Sequence, residues 1–181
     1  DMAMQAGVER NLGHDYLQDI DKRYEEAARI TSPTPWDLIN ELMQGGLGTG
    51  ELGVIVAPSG IGKSWTLAAM GAYGISKGMN VVHYTLELNE AYVGLRYDSI
   101  FSGVEGQNLK YHKEEVMEKL SKLDGNLTIK YYPTKSCTVN TLSAHLKKVM
   151  TFGTRVDMVL VDYADIMRDV HRTREVRHAL G

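Results

Sequence analysis

The chain has 181 residues, enough for one domain with a real core and too few for two comfortable ones. Its 43% hydrophobic and 24% charged residues and net charge of −3 exclude a disordered chain and a uniformly basic surface, so any nucleic-acid contact must be local. The one cysteine, Cys137, excludes a disulfide scaffold and fits a reducing cytoplasm; no signal peptide or membrane-length apolar run is evident.

Residues 15–30 carry Leu17, Ile20, Tyr24, Ala27 and Ala28 at helical spacing, which predicts a short amphipathic helix. Pro33 and Pro35 make a rigid connector that forbids helix and central strand, and residues 36–43 read as a brief helix closed by Gly45 and Gly46. From there strands and helices alternate. Residues 52–57 read as a strand, and 63–77 as a helix with Leu67, Met70, Gly71 and Ile75 on one side. Residues 80–86 form a second strand and 90–102 a second helix, with Val93, Tyr97 and Ile100 along it. Residues 113–123 are a charged helix with a seam of Val116, Leu120 and Leu123, followed by a strand at 127–132. Thr138 caps a helix bearing Leu142, Leu146, Val149 and Met150, and 156–161 is the most continuously apolar strand. This alternation predicts an α/β fold, a mainly parallel sheet with helices on both faces.

Glycine is the skewed count. Of 18 glycines, seven lie at 45, 46, 48, 50, 53, 60 and 62, where the backbone must turn sharply or approach something closely. Within that stretch Ala57-Pro58-Ser59-Gly60-Ile61-Gly62-Lys63-Ser64 lies between a predicted strand and a predicted helix. It fits the phosphate-loop pattern, with Ala57 where glycine is usual. Such a loop turns successive backbone N–H groups toward an anion at the positive end of the helix. Lys63 would reach the β- and γ-phosphates of a nucleotide, and the Ser64 hydroxyl would ligate Mg²⁺.

A phosphate loop needs an acid near the metal. Asp162 ends the apolar run Met158-Val159-Leu160-Val161, at the sheet edge where ligands of open α/β sheets bind; Asp165 is a rival carboxylate beyond the strand. Glu87, following Thr85-Leu86, is a general-base candidate at the same edge. From spacing alone it is equally an exposed residue opening the next helix. Trp65 and Tyr73 lie in the helix after the loop and read as core or nucleotide-adjacent packing. The six histidines show no paired metal spacing, and His83, inside a strand, reads as structural.

Taken together, Gly45-Gly46-Leu47, Gly50-Glu51-Leu52, the phosphate loop, Thr85-Leu86-Glu87-Leu88, Arg96 and Val159-Leu160-Val161-Asp162-Tyr163 resemble the ATPase domain of DnaB-type hexameric replicative helicases, within the RecA-like group and with a phage version among its forms. The resemblance runs from about residue 31 to residue 167, with Ala164 and Asp165 departing from the family's pattern. It implies a RecA-like P-loop fold, Mg-ATP hydrolysis, Glu87 as the water-activating base and Asp162 as the Mg²⁺-side acid. Nucleotide contacts fall to Ser59, Gly60, Ile61, Gly62, Lys63, Ser64 and Trp65, and Arg96 to site or interface support. It further implies a homo-oligomeric, hexameric ring moving on single-stranded DNA, with a primase and a helicase loader as partners, in the cytoplasm of a bacterial or phage-infected cell.

On that reading residues 1–34 are a linker whose helix packs on a neighbouring subunit, or alternatively on its own domain, and 35–181 are the ATPase domain. The family's domain continues well past the strand at 162, so its arginine finger and most DNA-contacting loops are expected outside this chain. Arg168, Arg172, Arg174 and Arg177 read as flexible surface charge. A RecA-like recombinase or mediator, and an ATP-dependent assembly or switch module, stand as the alternative readings.

Overall fold

The computed structural model describes residues 13–26 and 30–168. Its elements in chain order are α1 (Ile20–Glu26), β1 (Thr31–Ser32), α2 (Asp37–Leu42), β2 (Leu47–Gly48), α3 (Lys63–Ser76), β3 (Asn80–Thr85), α4 (Glu90–Ser102), α5 (Lys113–Leu120), β4 (Asn126–Tyr131), α6 (Val139–Thr151) and β5 (Met158–Asp162). Two single 3₁₀ turns, Leu109–Tyr111 and Ala164–Ile166, complete them.

The sheet follows from residue type. β3 is β-branched and aromatic throughout its centre, and it lies between β4 and β5, parallel to both. Its side chains alternate between two cores. Val81, with Leu160 from β5, packs against Ala68, Ala72 and Ile75 of α3 and Val93 and Tyr97 of α4. Val82, Tyr84 and Leu86 face the other way, onto Leu142 of α6 and Cys137. Burying each large apolar side chain contributes about 1.5–3 kcal/mol, so the sheet is held from both sides. The expected parallel sheet with a helix layer on each face is therefore present.

The helix ends also have local causes. Asn89 accepts a hydrogen bond from Tyr92 N and caps α4, while Gly103, at φ 75°, closes it in the left-handed conformation. Thr138 caps α6 through a reciprocal pair: its hydroxyl accepts from Thr141 N, and Thr141 Oγ1 accepts from Thr138 N.

Three expectations change. Residues 52–57 form no strand: among the described residues no ladder hydrogen bonds hold them, and Leu52, Val54 and Val56 are exposed. Apolar alternation alone does not make a strand; it needs a partner's backbone, and residues 52–57 pair with neither outer edge of the β4-β3-β5 sheet. The N-terminal helix is shorter than 15–30, beginning after a turn in which Asp15 accepts from Leu17 N and Gln18 N. Ala27 and Ala28, and Arg172, Arg174 and Arg177, lie outside the described residues. Finally, the short antiparallel pair β1–β2 was not foreseen; it joins Thr31 to Gly48 and Ser32 to Leu47.

Candidate functional site

The phosphate loop enters α3 on glycine geometry. Gly60 and Gly62 hold φ of 79° and 106°, a region that costs other residues strain, and Gly62 is the residue before the first turn of α3. Lys63 opens that helix. Its Nζ donates to Ala57 O at 2.6 Å and Pro58 O at 2.9 Å, so the ammonium is folded over its own loop. Ser64 follows on the first turn, half-buried. Thr66 Oγ1 donates back to Gly62 O at 3.1 Å and steadies the turn.

α3 points this loop at the C-terminal edge of the sheet. A Cβ on Gly74 would touch Met158 and Val81, and one on Gly71 would meet Leu160. Contacts thus advance along β5 as they retreat along α3, which carries Lys63 and Ser64 toward the end where β5 finishes in Asp162. Asp162 is 3% exposed, and its Oδ1 has no hydrogen-bond partner among the described residues. A buried carboxylate oxygen without a partner is costly in a finished structure and leaves an acceptor that a bound water or a cation would complete. The peptide bond from Asp162 to Tyr163 is cis.

Glu87 lies two residues past the end of β3, on a turn held at several points. Thr85 Oγ1 donates to Leu88 O at 2.7 Å and accepts from Leu88 N. Leu86 N donates to Asp162 O at 2.8 Å, Thr134 Oγ1 donates to Leu86 O, and the Leu86 side chain is fully buried. The Glu87 side chain itself is exposed. A rigid turn bearing a free carboxylate at the loop's edge of the sheet has the form a base needs.

Arg96, on α4, lies over the Trp65 ring at 5.5 Å, a cation–π contact that ties the helix after the loop to the helix after Glu87. Trp65 remains 47% exposed, which places it beside the loop rather than in the core. Asp165 belongs to the 3₁₀ turn beyond β5 and is exposed, off the strand end that Asp162 occupies. Sequence reasoning missed the partners of His83. It is buried against Tyr97 of α4, Nδ1 to Oη 2.8 Å, and burial lowers its pKa to about 4 against the opposing pull of Asp162. Burial likewise raises the Tyr97 phenol, aided by the Asp162 charge. The signal was available: His83 and Tyr97 both occupy inward positions of their elements.

Among the described residues no three His, Cys, Asp or Glu side chains converge as a metal cluster. A serine hydroxyl and a strand-end carboxylate, Ser64 and Asp162, are the donor types that suit Mg²⁺, which keeps waters and binds through one or two protein oxygens plus phosphates.

Against this geometry the comparisons are decisive. The model of the DnaB-like helicase C-terminal domain matches residues 33–179. The chain belongs to that family. A DnaB-like replicative helicase of Enterobacteria phage T4 is 25% identical in an alignment 177 residues long that covers 92% of this chain and 37% of that protein. Two solved structures share the fold at 14% identity. One, an isolated ATPase domain, superposes with a TM-score of 0.64 over 86% of this chain and 58% of its own. The other, a DnaB-like replicative helicase studied with its interactions with primase, gives 0.66 over 89% of this chain and 42% of its own. The chain therefore spans less than two thirds of each relative. The DnaB-like domain is an α/β fold of the RecA-like kind, as the motifs implied. Among its described residues no helix is long and apolar enough to cross a membrane.

Proposed function

We propose that the chain is the ATP-hydrolysing motor domain of a replicative DNA helicase, working in a ring on single-stranded DNA. What supports this reading is the glycine-turned loop at the N-terminus of α3 together with Asp162, buried at the end of β5 toward which α3 runs. ATP phosphates would lie on the backbone of residues 59–64, with Lys63 leaving its loop carbonyls for the β- and γ-oxygens. Ser64 and Asp162 would hold Mg²⁺, which when bound neutralises charge developing on the phosphates. Glu87 orients and deprotonates the attacking water, and the held turn from Thr85 to Asn89 fixes its position. Trp65 and Arg96 support the nucleotide side of the site.

The remaining features extend the same reading. A hexamer would place each nucleotide between subunits, and the exposed Tyr16, Leu17 and Tyr24 around α1 suit a linker that packs on a neighbour. Residues 1–34 would then be the linker and 35–181 the ATPase domain. Primase and a loader are the partners proposed, in a bacterial or phage-infected cytoplasm; the phage relative supports this setting.

Two variants test the site. Lys63→Ala should abolish ATP turnover, and undiminished hydrolysis would remove the loop from the chemistry. Glu87→Gln should still bind a fluorescent ATP analogue while hydrolysing it at least about 100-fold more slowly. Fast turnover in that variant excludes Glu87 as the base.

A further inference from the structure

Three buried polar side chains share the sheet face covered by α4, and the phosphate-loop reading uses only one of them. His83, Tyr97 and Asp162 are 1%, 2% and 3% exposed. His83 Nδ1 lies 2.8 Å from Tyr97 Oη, with the two rings edge-on at 79°. Among the described residues the other imidazole nitrogen, Nε2, has no hydrogen-bond partner, and neither has Asp162 Oδ1. In the register of the sheet Asp162 stands opposite Thr85 and His83 opposite Leu160. The two unpartnered atoms therefore belong to diagonal neighbours on one face of adjacent strands, where long side chains reach one another.

A neutral imidazole has one donor and one acceptor. If Nδ1 accepts from Tyr97 Oη, the hydrogen is on Nε2, and a carboxylate on the same face is the acceptor that such a donor lacks. The opposite tautomer would turn a lone pair toward a negative charge. Direct contact is absent, and one water, bonded to both, would satisfy two buried groups that are otherwise wasted.

We infer that His83 is a positioning residue for Asp162: Tyr97 fixes the imidazole with its hydrogen on Nε2, and that N–H orients the Asp162 carboxylate through a bridging water. One carboxylate oxygen is then held while the other faces the phosphate loop. Metal-binding carboxylates owe much of their affinity to such supporting hydrogen bonds. The Asp162 charge acts on both His83 and Tyr97, as their placement requires. The inference rests on the reading of Asp162 as the metal-side acid.

Glutamine and asparagine separate hydrogen bonding from packing. The amide nitrogen of glutamine reaches the Nε2 position, whereas that of asparagine reaches only the Nδ1 position. Mn²⁺ is the probe, its binding to the full-length protein with ADP followed by electron paramagnetic resonance of the free ion. Asp162→Asn sets the scale for losing the carboxylate. His83→Asn and Tyr97→Phe should weaken Mn²⁺ about tenfold. His83→Gln should stay close to wild type, with ADP affinity in the absence of metal unchanged in the His83 and Tyr97 variants. Tyr97→Phe removes one oxygen at constant shape, so it carries the test even where a His83 variant fails to fold. Equal Mn²⁺ affinity in the Asn and Gln variants, or wild-type affinity in Tyr97→Phe, overturns the inference. If Asp162→Asn binds Mn²⁺ normally, the reading of Asp162 falls and the inference with it. If Asp162→Asn loses Mn²⁺ while His83→Asn keeps it, the inference alone falls.

Discussion

Gly71→Ala inverts a familiar expectation. In an ordinary helix interior, alanine in place of glycine gains about 1 kcal/mol. At position 71 of α3 the added Cβ would run into Tyr97 Oη, and it would lie 2.9 Å from Leu160 Cδ1 and 3.0 Å from Tyr97 Cζ. The tyrosine cannot simply swing away, because its ring is buried and its hydroxyl is bonded to His83. Overpacking of this kind costs about 1–3 kcal/mol, and tearing Tyr97 from a buried His83 adds about 1–3 more. The net loss, after the helix gain, is roughly 1–5 kcal/mol. Urea denaturation followed by circular dichroism would read it as a lower midpoint at unchanged slope. Because the first collision is with Oη, Gly71→Ala in a Tyr97→Phe background should cost less than in wild type, a coupling of about 1 kcal/mol or more. A Gly71→Ala protein as stable as wild type, or more so, would refute the packing described between α3, α4 and β5.

The other predictions concern charge and capping. Burial holds His83 near a pKa of about 4 in the folded protein, below its ordinary 6.5, so the unfolded chain takes up a proton that the folded chain refuses. That contribution to stability is complete above the unfolded value and is lost as pH falls from 6.5 toward 4, at most about 3 kcal/mol. Urea midpoints of wild type and His83→Gln between pH ~7 and ~4.5 should converge if this is right, and parallel curves would contradict it. Thr138→Ala removes the reciprocal cap of α6 and should lower stability by about 1 kcal/mol in the same assay; no change would mean that the cap is redundant.

Where the sequence was legible, local rules and tertiary packing agreed. α4 is the clearest case: its bounds and the buried side chains Val93 and Tyr97 follow from spacing alone, while its cap Asn89 and stop Gly103 come from the structure. Thr138 was similarly readable as a cap, though its reciprocal partner Thr141 was not singled out. Residues 52–57 mislead because apolar character speaks only for burial, whereas a strand also needs a neighbouring backbone to bond with. The pairing of β1 with β2 was illegible for the complementary reason: two-residue strands leave no periodicity to read. At the site, the loop and the strand-end acid announced themselves through spacing. The contacts between Arg96 and Trp65, and between His83 and Tyr97, each join α4 to another element through a single side-chain pair, and no single stretch of sequence records such a meeting.

The central claim is that this fold is a DNA-coupled ATP motor. Its most direct test is the steady-state rate of ATP hydrolysis by the full-length protein, with and without single-stranded DNA. A motor on nucleic acid predicts strong stimulation by the DNA, absent from Lys63→Ala. Slow hydrolysis indifferent to DNA would contradict it, and would favour a nucleotide-driven assembly switch built on the same phosphate loop.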